Sequence, residues 1–284
     1  MRNVMMAVLA MVAVAAGQIP TTGLQARYDF TSGSLVDNSG NGRTLTSDGI
    51  GGTLTADRDL WPNNAYRFEG NISGYYYRSE SGLPSGNSDR TVCFWLSLAS
   101  IGDSVQQILA WGVPRSYRDT SMGFRLVVRG DSLCVQQRGV RFAKSKVTST
   151  QFPANAGWNA PWRHVTIVTS ADTAWWYVDG ALHQRVSCAG LATSASASSY
   201  FLINGIGSRF LVGKLDEILI YNRALTPTEV HNIYIPQVST IEHARPTMKT
   251  AASTAIRSFS LDGRLVQNRL TSACGFGSLR IISR

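Results

Sequence analysis

The sequence has few charged residues, and their distribution argues against nucleic acid as a partner. Only 16% of the 284 residues are charged, and the formal net charge is +9. The positive charge of the central region is spread along the chain without a basic cluster, whereas nucleic-acid-binding proteins concentrate lysine and arginine on one element. The composition therefore predicts that the chain binds neither DNA nor RNA.

The sequence also lacks the paired carboxylates of a glycoside hydrolase. Retaining glycosidases need two carboxyl groups about 5 Å apart, but the five glutamates are isolated and neither Glu-x-Asp-x-x-Glu nor a nucleophile elbow occurs. Asp57 and Asp59 have a suitable spacing but lie in a segment with few strand-forming residues. Asp216 and Glu217 are adjacent in a strand-like run, so they are expected to face opposite sides of it. We therefore predict that the protein is not an enzyme.

Histidine and cysteine are too few and too scattered to predict a metal centre. None of the four histidines is spaced as a metal pair, and no CxxC occurs. His164 is expected to be a half-buried strand residue satisfied by a neighbour. The four cysteines suit an oxidising compartment but form a poor disulfide framework in a chain of this length. A Cys93–Cys134 bridge and buried free thiols are both compatible with the sequence.

The apolar run at the N-terminus is too short to span a bilayer. Residues 1–17 contain Arg2, an apolar run from Val4 to Ala16 and small residues at the end, which is the pattern of a cleaved signal peptide. We therefore predict an exported protein, secreted or displayed at the cell surface, with no transmembrane segment.

The stretch from Gly213 to Tyr234 predicts a strand followed by a capped helix. Residues 215–222 alternate with a period of two, which is typical of a strand. This period places four side chains on one face of the predicted strand: Leu215, Glu217, Leu219 and Tyr221. Thr226, Pro227 and Glu229 match a capping box with proline at the first helical position, which predicts a short helix. A strand closed by a short helix predicts the end of a domain.

This stretch and several others resemble the laminin G-like, concanavalin A-like jelly-roll family. The closing stretch carries the family's Gly, Asp-Glu, Asn-Arg-Ala-Leu and capped helix in the family's order. Four further segments match family motifs, at residues 37–42, 90–98, 162–165 and 175–180. The resemblance covers about residues 24–234. It implies an all-β fold over residues 18–235, a two-sheet antiparallel jelly-roll β-sandwich with one short C-terminal helix.

The chain changes character after Ile235. Residues 236–254 are rich in Thr, Ser, Ala and Pro without periodicity, which predicts a linker. Residues 255–284 predict a small β tail, with an Asp-Gly-Arg turn at 262–264 between two strand-like runs and a basic C-terminus. This tail resembles the sorting signal of type IX secretion, which implies contact with that machinery. The alternative is a disordered basic tail.

Aromatic side chains are the candidate ligand contacts. Sugar recognition needs exposed aromatic faces that stack on pyranose rings beside polar groups, and the chain has seven tryptophans and ten tyrosines. In the strand predicted at 173–178, Trp176 faces away from its two aromatic neighbours, so only one of the two sets can belong to the core. The candidate ligand-binding residues are Trp175, Tyr177, Tyr76, Trp111 and Trp158.

The family resemblance also implies a structural Ca²⁺ ion. Jelly-roll modules of this class often hold one Ca²⁺ between the Asp of the closing strand and a side chain of the opening segment. The matching residues here are Asp216 with Asp29 or Asp37, and carboxylates with backbone carbonyls are suitable ligands. The alternative is that Asp216 caps a turn and Asp37 forms an Asx-turn.

Together these features predict an exported, surface-displayed module that binds a ligand and does not catalyse a reaction. The expected ligand is a glycan. A protein-binding adhesin or structural surface domain is the main alternative, and a glycoside hydrolase is a weaker one. The Arg129-Gly130-Asp131 tripeptide is typical of integrin adhesion, but Gly-Asp between two strands first predicts a hairpin turn.

Overall fold

The computed structural model describes most of the chain between Ile19 and Ile235 and two short strands near the C-terminus. The described residues are 19–47, 51–70, 74–77, 82–101, 105–114, 124–137, 140–146, 151–153, 156–193, 199–204, 210–235, 256–259 and 265–269. The predicted signal peptide, the predicted linker and much of the predicted tail lie outside these residues.

Two antiparallel sheets form a β-sandwich, which confirms the predicted fold class. Sheet I has eight strands; in spatial order they are Ala181–Ser187 (β13), Thr173–Val178 (β12), Arg163–Ser170 (β11), Arg90–Leu98 (β6), Val212–Tyr221 (β15), Ala65–Glu69 (β4) and Thr53–Thr55 (β3), with Leu24–Tyr28 (β1) also paired to β15. Sheet II has seven; in spatial order they are Val140–Lys146 (β10), Ser132–Gln137 (β9), Phe124–Arg129 (β8), Gln106–Pro114 (β7), Ser199–Ile203 (β14), Tyr75–Tyr77 (β5) and Thr46–Ser47 (β2).

The main core lies between the facing sides of the two sheets. The central strand β6 is buried along its whole length, as its apolar sequence predicts. Its Phe94 and Leu96 share one apolar cluster with Phe124 and Leu126 of β8. The side of sheet I that contributes to this cluster is its inner face, and the opposite side is its outer face.

A second apolar cluster lies on the outer face of sheet I, beneath a short helix. Helix α1 spans Pro227–Tyr234. Its Val230 and Ile233 are buried against Leu219 and Tyr221 of β15. The helix therefore closes one end of the outer face instead of contributing to the core between the sheets.

The capping box predicted at the start of α1 is confirmed. The Thr226 N–H donates to Glu229 Oε2 at 2.8 Å, and the Glu229 N–H donates to Thr226 Oγ1 at 3.3 Å. Arg223 adds two contacts to the same carboxylate, at 2.6 and 3.0 Å. These bonds satisfy donors that the first turn of a helix otherwise leaves free.

The alternation predicted for β15 fails at its centre. β15 pairs with β4 along its first half and with β1 along its second half, and its register with β6 shifts between Asp216 and Leu219. Glu217 has a φ of 45°, in the left-handed region that non-glycine residues rarely adopt. The bulge reverses the facing of the residues after it, so Leu215 joins the inner cluster and Leu219 the outer one. The prediction that Asp216 and Glu217 face opposite sides is therefore wrong, because both carboxylates contact Arg58.

The cysteines that the structure describes are buried, and none of them forms a disulfide bond. Cys93 belongs to the outer cluster of sheet I, Cys134 lies in β9 of sheet II, and Cys188 follows β13. Burial raises the pKa of the Cys93 thiol to about 12, so this group stays protonated. Of the two alternatives left open by the sequence, the Cys93–Cys134 bridge is therefore not formed; Cys274 lies outside the described residues.

The C-terminal region contains a separate two-stranded sheet. Ile256–Phe259 (β16) and Leu265–Arg269 (β17) pair in antiparallel fashion, in agreement with the predicted β tail. The chain divides into two compact units, residues 1–238 and 239–284.

Candidate functional site

Three regions follow one another along the outer face of sheet I. At one end, α1 covers the outer apolar cluster. In the middle, Arg58 lies against Asp216 and Glu217, and these residues with their neighbours form the Arg58 cluster. At the other end lies the tryptophan–cation surface, which consists of Trp158, Trp162, Arg67 and Lys214. This last region is the candidate ligand-binding site, because it combines half-exposed aromatic rings with unbalanced positive charge.

The loop that carries both tryptophans is fixed to sheet I by hydrogen bonds. Gly157 opens a 3-10 turn, and its N–H donates to the Ala99 carbonyl at 3.0 Å. At the end of the turn, the buried Ser97 hydroxyl donates to the Ala160 carbonyl at 2.8 Å. Because both ends of the turn are hydrogen-bonded to residues at the end of β6, the rings of Trp158 and Trp162 are held over the sheet.

Each tryptophan ring has a cation above it. The Arg67 guanidinium carbon lies 4.1 Å from the centroid of the Trp158 ring, and the Lys214 ammonium lies 5.9 Å from that of Trp162. Arg67 and Lys214 are directly opposite each other in the β4–β15 pair. The pairing of these two strands therefore brings two cations and two aromatic rings together.

The positive charge of this surface is only partly balanced. Arg67 forms an ion pair with Glu69, two residues along β4. Lys214 forms no ion pair with any residue in the described part of the chain. Burial, followed by the charge of Arg67, lowers the pKa of the Lys214 ammonium. Like charges directly opposite one another destabilise a sheet, so this end of β15 carries an unfavourable charge pair.

Three of the other predicted ligand contacts, Trp111, Tyr177 and Trp175, do not lie on the tryptophan–cation surface. Trp111 is 1% exposed; its Nε1–H donates to the Pro84 carbonyl and its ring stacks on Phe124. Tyr177 is 5% exposed within the outer apolar cluster. Trp175 is half-buried beside that cluster. Tyr76 lies in β5, and its side chain is outside the described part of the chain.

Sequence reasoning identified Trp158 but missed the other three members of the surface. Arg67 and Glu69 alternate with buried apolar residues in β4, and this period of two does indicate a solvent-facing pair. The proximity of Lys214 to Arg67, however, depends on the pairing of β4 with β15, and no local signal encodes that pairing.

The Arg58 cluster is a buried charge network. The Arg58 guanidinium stacks over Trp95 at 4.5 Å and lies 3.4 Å from Asp216 Oδ2, 3.1 Å from Glu217 Oε1 and 3.5 Å from Asp59 Oδ2. Asp216 is 2% exposed, and burial raises the pKa of its carboxyl well above the usual range, with the neighbouring Glu217 adding to the effect. Burial likewise raises the pKa of Glu217, against the lowering effect of Arg58.

The residues expected to hold Ca²⁺ already have other partners. Asp37 accepts hydrogen bonds from three backbone N–H groups, including that of Ser39, which makes the Asx-turn that was the alternative reading. Asp29 pairs with Arg27 at 2.7 Å, and Asp216 has Arg58 as its counter-charge. Among the described residues, no group of three His, Cys, Asp or Glu side chains could hold a metal ion. These carboxylates therefore do not fit a calcium site as they are placed, and calcium binding stays a prediction of the sequence.

His164 differs from its expected role. It is 1% exposed, and neither ring nitrogen has a hydrogen-bond partner. Its ring lies 5.3 Å from that of Trp95 and 6.0 Å from that of Tyr234. Burial, followed by the charge of Arg58, lowers the pKa of the imidazole to about 3. His164 is thus a neutral core residue, fully buried and unpaired instead of half-buried and satisfied.

Comparison with known families and structures agrees with this architecture. The sequence model of the family described as the concanavalin A-like lectin/glucanases superfamily matches residues 69–231. No match was found among curated proteins. Within the described ranges, no helix has the length and hydrophobicity needed to cross a bilayer.

Several solved structures share the fold at low sequence identity. The binding domain of Paraclostridial Mosquitocidal Protein 1 has a TM-score of 0.58 and 20% identity, with 75% of this chain and 52% of that chain covered. The ligand binding domain of Botulinum neurotoxin serotype D, in complex with N-acetylneuraminic acid, has a TM-score of 0.56 and 14% identity, with 77% and 52% covered. The binding domain of serotype G has a TM-score of 0.57 and 16% identity, with 75% and 51% covered. This chain thus spans about half the length of these structures, and the likeness concerns the fold alone.

Proposed function

This chain belongs to the concanavalin A-like lectin/glucanases superfamily, because the family's sequence model matches more than half of it, and we propose that it is an exported, non-catalytic module that binds carbohydrate. The tryptophan–cation surface is the proposed binding site. Export is proposed from the signal peptide expected at residues 1–17. Contact with type IX secretion machinery, and display at the cell surface, are proposed from the tail expected at residues 255–284.

The observation that carries the proposal is the pair of tryptophans held over charged side chains. Trp158 and Trp162 are half-exposed and come from one loop that is tied to sheet I at both ends of its turn. An aromatic face stacks on the C–H side of a pyranose ring, while neighbouring polar groups reach its hydroxyls. Arg67, Glu69 and Lys214 supply such groups beside the rings. The fixed loop also reduces the ordering entropy lost on binding.

A binding role also agrees with the nature of the structural neighbours. They are binding domains of a mosquitocidal protein and of botulinum neurotoxins, and one of them is solved in complex with N-acetylneuraminic acid. At 12–20% identity these neighbours support only the fold, so the ligand of this chain is argued from its own surface.

The absence of catalysis is supported by the placement of the two adjacent carboxyl groups. Burial raises the pKa values of both Asp216 and Glu217, and that of Asp216 well above its usual range. Both are paired with Arg58, and Asp216 is almost completely buried beneath it. A carboxyl group that acts on a glycosidic bond has to reach the substrate oxygen within hydrogen-bonding distance, which Asp216 cannot do in this arrangement.

The proposal is tested by binding assays with the purified full chain. We expect specific retention on a glycan array and on insoluble polysaccharides, and we expect Trp158→Ala and Trp162→Ala each to weaken binding at least about tenfold, because each removes one stacking face. The matched control is Trp175→Ala, which truncates a half-buried tryptophan elsewhere on the outer face. Melting temperatures of all three variants show whether a loss of binding reflects unfolding.

Each outcome distinguishes one alternative. A folded chain that binds no glycan contradicts the proposed function and favours the protein-binding alternative. Loss of binding in Trp175→Ala but not in the other two variants would place the site at Trp175. Glycan binding that is lost in EDTA and restored by Ca²⁺ would support the calcium prediction. Glycan binding that persists in EDTA supports Arg58, and not Ca²⁺, as the counter-charge of Asp216.

A further inference from the structure

We infer that the tryptophan–cation surface selects acidic saccharides, with the Lys214 ammonium binding a carboxylate or sulfate group of a sugar that stacks beside it. This inference rests on the proposed carbohydrate binding and adds to it the chemical class of the ligand. It requires no metal and no covalent step.

The first argument is the arrangement of charge. Arg67 and Lys214 occupy directly opposed positions of neighbouring strands, where side chains approach within about 5 Å at their Cβ atoms. Glu69 is the carboxylate that pairs with Arg67, and Lys214 has no ion-pair partner among the described residues. Two cations thus share one anion, and an anionic ligand would supply the missing negative charge.

The second argument is the partial burial of the unpaired cation. Lys214 is half-buried, and its ammonium lies over the Trp162 ring. A half-buried ammonium loses hydration without gaining a carboxylate, which is why burial and Arg67 lower its pKa. A bound anion would compensate this cost, so Lys214 should contribute more to binding than an exposed lysine does.

The third argument is that the rings and the cations lie together. A free anion would need only the charges, whereas Trp158 and Trp162 add two aromatic faces within 4.1 and 5.9 Å of those charges. Stacking of the ring and pairing of the substituent can then occur on one sugar residue or on two neighbouring ones. The surface therefore suits an acidic sugar better than a small inorganic anion.

The test compares polysaccharides that share a backbone and differ in charge. The full chain is titrated against polygalacturonate and its fully methyl-esterified form, and against a sulfated galactan and its desulfated form. We expect binding to at least one acidic member, and we expect the dissociation constant of its neutral partner to be at least about tenfold larger. Binding to the acidic member should also weaken as salt is added. The two pairs distinguish a carboxylate from a sulfate.

A variant pair assigns the effect to one side chain. Lys214→Met keeps an unbranched side chain beside Trp162 but removes the charge, and it should lose the preference for the acidic member. Lys144→Met removes an exposed lysine from β10 of sheet II and should leave the preference unchanged. Lys214→Arg keeps the charge and should retain at least part of the preference for the acidic member. All three variants are checked for an unchanged fold by circular dichroism and melting temperature.

The outcomes separate this inference from the proposed function. Equal or tighter binding to the neutral members overturns the acidic preference and leaves carbohydrate binding in place. An acidic preference that Lys214→Met and Lys144→Met reduce equally would show a general effect of charge and would also overturn the inference. Binding to no polysaccharide overturns the proposed function itself.

Discussion

His164 illustrates how one buried side chain can make a whole domain sensitive to acid. Its imidazole has no hydrogen-bond partner, and burial lowers its pKa from 6.5 to about 3. When the pKa of a group is lower in the folded state than in the unfolded state, its contribution to stability is complete above the unfolded-state pKa. That contribution is lost as the pH falls from the unfolded-state pKa towards the folded-state pKa. The folded state therefore loses stability below about pH 6.5, because only the unfolded chain takes up this proton.

Substitution of His164 by phenylalanine should remove this acid sensitivity. When the pH is lowered from about 7 to about 5, the unfolding free energy of the wild type should fall by about 2 kcal/mol more than that of His164→Phe. At neutral pH the variant should be at least as stable, because two unpaired buried nitrogens disappear. Urea denaturation at both pH values measures the difference. His231→Phe, on the exposed side of α1, is the matched control, and equal acid losses in wild type and His164→Phe would contradict the prediction.

Arg58 is the side chain on which the burial of two carboxylates depends. Its guanidinium contacts Asp216 and Glu217 while its flat face covers Trp95. We expect Arg58→Met to cost about 3–5 kcal/mol at neutral pH, because removal of one partner leaves buried charge without compensation. Chemical denaturation provides the measurement. Arg185→Met removes an arginine that also lies over a tryptophan, Trp175 at 5.8 Å, and it should cost less than about 0.5 kcal/mol.

The pH dependence of the Arg58→Met defect identifies its cause. Asp216 and Glu217 have pKa values that are raised in the folded state. Their contribution to folding stability is therefore favourable at low pH, and it is lost as the pH rises through those pKa values. Without Arg58 the penalty should therefore shrink as the carboxyl groups become protonated. A defect that is constant from neutral to acidic pH would instead indicate lost packing against Trp95.

At the scale of the element, helix α1 depends on a short-range network at its first turn. Glu229 accepts from the Thr226 N–H and pairs with Arg223. The hydrogen bond from Arg223 is the largest influence on Glu229 and, with the Thr226 contacts, lowers its pKa from 4.5 to about 2 despite partial burial. The resulting stability is present above about pH 4.5 and is lost as the pH falls towards about 2.

Substitution of Glu229 by glutamine should weaken the attachment of α1 to sheet I. We expect a loss of about 1 kcal/mol at neutral pH, a modest value because the Arg223–Glu229 pair is partly exposed and screened by solvent. Thr226→Ala removes the other half of the capping box and should cost a similar amount. Urea denaturation at about pH 7 and pH 3 tests this. The Glu229→Gln defect should diminish at the lower pH, and an undiminished defect would exclude the charge as its origin.

The elements that the sequence predicted correctly are those whose signals are local. The capping box lies within four residues. Asp179 and Gly180, at the end of the family segment 175–180, form the turn that joins β12 directly to β13, and both have positive φ. The facing of residues in β15 could not be predicted beyond Asp216, because the bulge occurs where β15 changes its neighbour from β4 to β1. Periodicity describes one strand, whereas a bulge is a property of a strand and its partners.

At the scale of the whole molecule, side chains connect the two sheets along one side of the sandwich. β13 is the last strand of sheet I and β10 the last strand of sheet II. Gln184 of β13 accepts from the Lys146 N–H of β10 at 3.0 Å, and His183 Nε2 lies 2.8 Å from the Lys146 carbonyl. His183 Nδ1 lies 3.1 Å from Gln151 Nε2, so an Nε2–H tautomer satisfies both contacts. The backbone of Lys146 at the edge of sheet II is thereby paired with side chains of the other sheet.

Loss of this connection should expose the edge of β10 to other copies of the chain. An unpaired strand edge is a template for pairing between chains, and proteins cover or charge such edges for that reason. We expect His183→Ala/Gln184→Ala to aggregate several-fold faster on mild heating, as measured by light scattering. Its unfolding free energy should fall by only about 1–3 kcal/mol, because the lost hydrogen bonds are largely exposed. Arg185→Ala on the same strand is the control for altered surface charge. If the double variant aggregated no faster than this control at equal stability, the bonds to Lys146 would contribute to stability alone and not to protection of the edge.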